Sequence, residues 1–184
     1  MDEVIIAVVA IIAVVAVIGM AWYVWSLRRT SQLKQRYGNE YDHMKSAEGK
    51  RAAERDLAAR EKRVKTYEIK ELPAEERRTY SAEWVALQAK FVDDPQSAMV
   101  EADELVQKVM HARGYPLSDF ENQAADISVD HPQVVRNYRL AHSISSSARR
   151  NRATTEDLRQ GILHYRSLFD ELLGEHVSAT SSAV

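Results

Sequence analysis

The chain has no cysteine, which removes disulfides, thiolate nucleophiles and Cys-based metal sites together. Absence of cysteine also fits a reducing compartment. No nucleophile elbow, Walker loop, dinucleotide fingerprint or HExxH motif occurs, so the common routes to acyl transfer, phosphate binding, hydride transfer and zinc hydrolysis are unmarked. Glu40-x-x-His43 is half of a di-iron signature, but that site needs a second such motif and two further glutamates, and no second Glu-x-x-His exists. The sequence therefore predicts no cofactor, no metal and no catalytic residues.

Charge of either sign is missing between Val4 and Leu27. The segment VIIAVVAIIAVVAVIGMAWYVWSL would be about 36 Å long as an α-helix, against a bilayer core of about 30 Å. Trp22, Tyr23 and Trp25 gather at one end, where amphipathic rings favour the headgroup boundary. The acidic start Met1-Asp2-Glu3 and the length of the apolar run argue against a cleaved signal peptide. Residues 1–27 read as a single-pass signal anchor in the cell membrane. By the positive-inside rule, Arg28, Arg29, Lys34 and Arg36 hold the following chain in the cytoplasm, with the N-terminus outside. Small residues recur every third position in this segment, from Ala7 to Gly19. Close helix pairing uses a spacing of four, so there is no strong oligomerisation signal.

All 25 Lys and Arg follow Leu27. Residues 28–65 carry 12 basic and 6 acidic side chains, and residues 66–184 carry 13 and 19. The acidic balance of the second part opposes nucleic-acid binding, which is driven by phosphate neutralisation. The basic first part suits contact with anionic lipid headgroups. Residues 28–72 are expected to form a charged helical stalk and linker, broken at Tyr37-Gly38-Asn39. Sustained apolar a and d positions are lacking, and the expectation is a solvated spacer.

From Pro73 the pattern is amphipathic and helical. Tyr80, Trp84, Leu87 and Phe91 form one stripe, and Ala98, Met99, Ala102, Leu105, Val106, Val109 and Met110 form the next. Ser118 and Glu121 make a capping-box pattern for a short helix to about Ile127. Val134, Val135, Tyr138, Ala141 and Ile144 line a helix opened by Pro132, and SSSARRNRATT reads as a loop. Thr154 and Asp157 cap a last helix that ends at Gly174. The expected fold is all-α: an N-terminal transmembrane helix, a charged stalk, and a bundle over 73–174 of about four amphipathic helices plus one short helix. Residues 175–184 are expected to be disordered.

Two near-copies, VDDPQ at 92–96 and VDHPQ at 129–133, each precede an apolar-periodic stretch. Pro suits the first helical position, so Asp94 and His131 are both expected as N-caps. An Asp beside a His can also be a general base with its orienting carboxylate. The candidate binding residues are accordingly Tyr115, Phe120, His131 and His142.

RYGNEYD, FVDDP, ARGYP, DISVDHPQVVRNY and TTEDLRQGILHYRSLFDELL together resemble a family of small bacterial proteins with one N-terminal span and a helical C-terminal part. The resemblance covers residues 28–174. It implies this same architecture and no activity or catalytic residue. Pro is expected in that family where Asn39 stands, so a rigid turn there does not carry over. The sequence as a whole points to a membrane-anchored interaction or scaffold module for an unidentified protein partner. Its alternative is a membrane-tethered ligand sensor or enzyme using the Tyr115/His131/His142 region.

Overall fold

A computed structural model of the chain describes residues 17–18, 20–21, 31, 33–38, 40–42, 44–46 and 49–174. The expected anchor lies almost wholly outside the described residues, as does the tail 175–184. Among the described residues no helix is long and apolar enough to cross a membrane, and none forms a strand. Contacts divide the chain into two compact units, Met1–Glu54 and Arg55–Val184.

In the first unit, residues 33–38, 40–42 and 44–46 are helical. At the expected turn Tyr37-Gly38-Asn39, helical residues lie on both sides, Gly38 takes a left-handed φ of 46°, and Asn39 lies outside the described residues. Tyr37, Glu40, Tyr41 and Met44 are buried, whereas Lys34 and Arg36 are exposed.

Six further helices follow, and the unit boundary falls inside the first: α1 Lys50–Val64, α2 Ala74–Asp93, α3 Pro95–Ala112, α4 Phe120–Asp130, α5 Val135–Ala148 and α6 Thr155–Leu173. α1 is not a solvated spacer. Leu57 and Val64 are buried, and the Arg63 guanidinium donates through Nε to Asp126 of α4 at 2.8 Å. The Tyr67 hydroxyl donates to the other oxygen of the same carboxylate, also at 2.8 Å.

Local chemistry sets most helix ends. Asp94 caps α3 by accepting from the Ser97 N–H at 3.1 Å, with Pro95 at the first position. Thr154 and Asp157 cap each other's backbone N–H reciprocally at the start of α6, and Gly174 ends it with a φ of 76°. α4 starts from Asp119, not Ser118: the Asp119 carboxylate accepts from the Asn122 N–H, and its charge also suits the positive helix end. α5 runs on through Ser145–Ala148, so the loop begins only at Arg149.

The second VDxPQ copy does not start a helix. His131 ends α4 as its C-cap, residues 132–134 turn, and α5 begins at Val135 without a side-chain cap. Imidazole is a poorer N-cap than carboxylate, and this ring is committed elsewhere: its Nδ1 lies 3.0 Å from Glu171.

The core sits where α3 packs on α2, α5 and α6, with α5 on α6 and α4 on α5. Trp84 of α2 is fully buried and stacks on Phe169 of α6, ring centroids 4.6 Å apart. Gly161 lets α6 approach its neighbours closely: a Cβ there would stand 2.5 Å from Met99 and 3.0 Å from Ile144.

The linker 66–73 is irregular and runs along the end of α3, with the Lys70 N–H donating to the Arg113 carbonyl at 2.9 Å. At Gly114, φ is 100°, and a Cβ would lie 2.3 Å from the Glu68 carbonyl oxygen. Both the conformation and the contact exclude a side chain. Gly114→Ala is expected to cost on the order of 3 kcal/mol, read from denaturant unfolding of the full chain by far-ultraviolet circular dichroism. A loss under about 0.5 kcal/mol would mean the linker does not lie against this turn.

Candidate functional site

Polar side chains that could carry chemistry gather around one buried carboxylate, Asp103 of α3, which is 2% exposed. It sits in the apolar stripe that runs from Met99 to Met110, because a helix places i, i+3, i+4 and i+7 on one face. A buried charge persists only when paired and hydrogen-bonded. Three other segments supply the partners. The Tyr165 hydroxyl of α6 donates a short bond to Oδ1. The His142 Nδ1 of α5 lies 3.4 Å from the same oxygen, and Arg149 donates to Oδ2 at 3.2 Å. Arg149 also reaches Glu104, at 3.6 Å.

Burial pushes the Asp103 pKa up, but the hydrogen bonds from His142 and Tyr165, the His142 charge and the Arg149 bond outweigh it and hold it below the ordinary value. Burial and the adjacent Asp103 charge push Tyr165 far up, so its hydroxyl stays protonated and serves as a donor. Phe120 of α4 stacks on the His142 ring, centroids 3.7 Å apart and planes 8° from parallel. Phe120 and Tyr138 also meet edge to face, centroids 5.1 Å apart, and the Tyr138 hydroxyl donates to Gln123 at 3.1 Å. Asp103, Phe120, His142, Arg149 and Tyr165 thus tie α3, α4, α5 and α6 together.

Chemically this is a carboxylate–histidine pair with a partly exposed ring. The ring turns Nδ1 toward the carboxylate, the arrangement by which an acid orients an imidazole. A general base also needs an acid or nucleophile in reach. The Tyr165 hydroxyl, which shares the carboxylate, already spends its proton on Asp103. Arg149 occupies the second oxygen of the same carboxylate. The arrangement fastens helices more readily than it moves protons.

Of the four candidate residues from the sequence, Phe120 and His142 come together in this stack. Tyr115 and His131 each have another partner. Tyr115 is buried, and its hydroxyl donates to Asp130 at 2.7 Å; burial and that carboxylate push its pKa far up. The contact closes the turn between α3 and α4 onto the end of α4. The His131 Nδ1–H donates to Glu171 near the end of α6, and Gln133 reaches the same oxygen at 3.3 Å. Glu40 is buried in the first unit, and His43 lies outside the described residues, as do Trp22, Tyr23, Trp25, Arg28 and Arg29.

The sequence singles out none of Asp103, Asp126, Arg63 and Tyr67; it offers Arg149, with Arg150 and Arg152, as a small basic patch in a solvated loop and Tyr165 as part of the apolar side of the last helix. A signal did exist for the two acids. Asp103 interrupts the Met99–Met110 stripe, and Asp126 lies among Ala124, Ala125 and Ile127. An acid in an apolar face calls for a buried cation or hydroxyl.

The geometry reverses one expectation. As an N-cap, His131 would be replaced by Asp at no cost. As a C-cap facing Glu171, an aspartate would meet a like charge and the negative end of α4. His131→Asp is expected to lower stability by about 1–2 kcal/mol, measured as a fall in the denaturation midpoint. An unchanged or raised midpoint would contradict this pairing.

No family model matches the chain, no curated protein matches it, and no solved structure matches its fold. The family resemblance therefore rests on the quoted segments alone.

Proposed function

We propose that the chain is a single-pass membrane protein whose helical body serves in the cytoplasm as an interaction or scaffold module. The uncharged run 4–27 is the anchor, with Arg28, Arg29, Lys34 and Arg36 fixing its orientation and meeting anionic headgroups. What supports a binding role for the body is the outward side of α2. Val85 is 62% exposed and Val92 81% exposed, on a helix that buries Trp84 and Leu87 on another side. A surface helix ordinarily turns polar residues outward, and an exposed apolar face marks a contact surface.

Two experiments test this reading. A C-terminal alkaline phosphatase fusion is expected to be inactive, and activity would place the body on the other side of the membrane. Proximity labelling from the body is expected to recover proteins above a control carrying residues 1–27 alone. Recovery no greater than that control would contradict an interaction role.

The second reading, a tethered ligand sensor or enzyme, draws its support from the partly exposed His142 beside Asp103. It needs Tyr115 and His131 as well, and both are engaged in structural contacts. A ligand at His142 would displace Phe120 from the ring, so binding would be visible as a change in the imidazole proton resonances.

A further inference from the structure

We propose that two copies of this chain pair through the outward face of α2, antiparallel, about a two-fold axis at Val85 and Ala86. The inference rests on the interaction-module reading and names the partner as a second copy.

α2 reads AEERRTYSAEWVALQAKFVD. At about 100° per residue, Tyr80, Trp84, Leu87 and Phe91 share the side that faces the core. The outward arc holds Glu75, Arg78, Ala82, Ala86, Ala89 and Asp93 on the side away from that stripe, with Val85 and Val92 along its flank, all exposed. The helix therefore carries a second, outward strip of alanines and valines besides its core-facing stripe. The three alanines lower its surface, which brings a second helix axis to the near end of the usual 8–10 Å range.

Charge selects the occupant and its direction. Arg78 stands at one end of the apolar strip and Asp93 at the other, both exposed, and neither is in an ion pair among the described residues. When a copy of the helix is laid antiparallel with its centre between positions 85 and 86, Ala82 meets Ala89 and Val85 meets Ala86. Arg78 meets Asp93 of the second copy, and the symmetry repeats that pair at the other end. Parallel pairing in register would set Arg78 against Arg78 and Asp93 against Asp93, which repel. The face is self-complementary in one direction only, as a closed two-fold contact requires. A strip from 78 to 93 is about 22 Å long, smaller than a standard stable interface. Pairing is therefore weak in dilute solution and strong where copies share one membrane and each raises the other's effective concentration.

Because the chain has no cysteine, single introduced cysteines report this contact without ambiguity. The full chain is reconstituted into lipid vesicles, oxidised, and run on a non-reducing gel. Val85→Cys lies at the axis and is expected to form a disulfide-linked dimer. Arg78→Cys is expected to remain monomeric, because its two copies stand about 22 Å apart. Mixed Arg78→Cys and Asp93→Cys chains are expected to cross-link to each other. Adding Arg78→Glu to Val85→Cys is expected to cut the dimer about tenfold, and adding Asp93→Arg to that chain to restore it. No Val85→Cys dimer, or an Arg78→Cys dimer equally strong, overturns the proposal. If cross-linking fails while Val85→Asp still abolishes recovery of labelled proteins, the face binds a different protein and only the pairing falls. If both fail, the interaction reading falls with it.

Discussion

Asp103→Ala is expected to lower the stability of the body by about 3–4 kcal/mol, the range for removing one partner of a buried, hydrogen-bonded charge network. The change leaves the buried Tyr165 hydroxyl without its acceptor and frees His142 and Arg149 from the carboxylate that holds them. It also leaves a void in the Met99–Met110 stripe. Asp103→Asn keeps the shape and one acceptor oxygen, and should cost less, about 1–2 kcal/mol.

The pH dependence separates charge from shape. The Asp103 pKa is depressed in the folded chain, so as pH falls the unfolded chain takes up its proton first. The stabilisation is thus complete above the unfolded carboxylate value near pH 4 and is lost as pH falls through the lower folded value. Asp103→Asn should be destabilised relative to the parent at neutral pH, and the gap should close in acid. The exposed Asp94, Asp119 and Asp157 are also depressed, each by hydrogen bonds at its own helix start. They titrate in both proteins, so the difference between the two denaturation curves isolates Asp103. A gap that stays constant down to pH 3, roughly one unit below the free aspartate value, would mean that its charge is not what holds the helices.

The second large effect contrasts two neighbours on α2. Trp84→Ala should cost about 4 kcal/mol, since the ring is fully buried and stacked on Phe169, with the Arg166 guanidinium 5.7 Å from its centroid. Val85→Asp, one residue on, should change stability by less than about 0.5 kcal/mol, because its side chain faces outward. Trp84→Phe should fall between them. It loses volume but also removes an indole N–H that is buried without an acceptor among the described residues. A large loss for Val85→Asp in the monomeric chain would mean that α2 does not present that face to solvent.

What the sequence made legible was what four or five consecutive residues decide. Asp94-Pro95, Thr154 with Asp157, and Gly174 were readable as helix ends, because capping is settled by groups within one turn. The apolar stripes of α3 and α6 were readable for the same reason of short period. Contacts between distant segments leave no such trace. Arg63 and Asp126 are 63 positions apart, and Asp103 and Tyr165 are 62. The docking of the charged helix and the polar centre of the bundle therefore had to be seen in three dimensions. SVDHPQVV failed as a helix start because His131 is held by Glu171, 40 positions away, which no local rule contains. The outward face of α2 was missed for a different reason. One stripe, Tyr80 to Phe91, already satisfied the expectation of a single core-facing side.

The most direct test asks whether the body works through its α2 surface or through the His142 site. Proximity labelling from the full chain in its native membrane, with both tagged and untagged copies present, is compared among the parent, Val85→Asp combined with Val92→Asp, and His142→Ala. The α2 double variant is expected to fall to the level of the control carrying residues 1–27 alone, losing the untagged copies among the labelled proteins, while His142→Ala keeps the parent pattern. An unchanged pattern for the α2 variant, with loss confined to His142→Ala, would contradict the account.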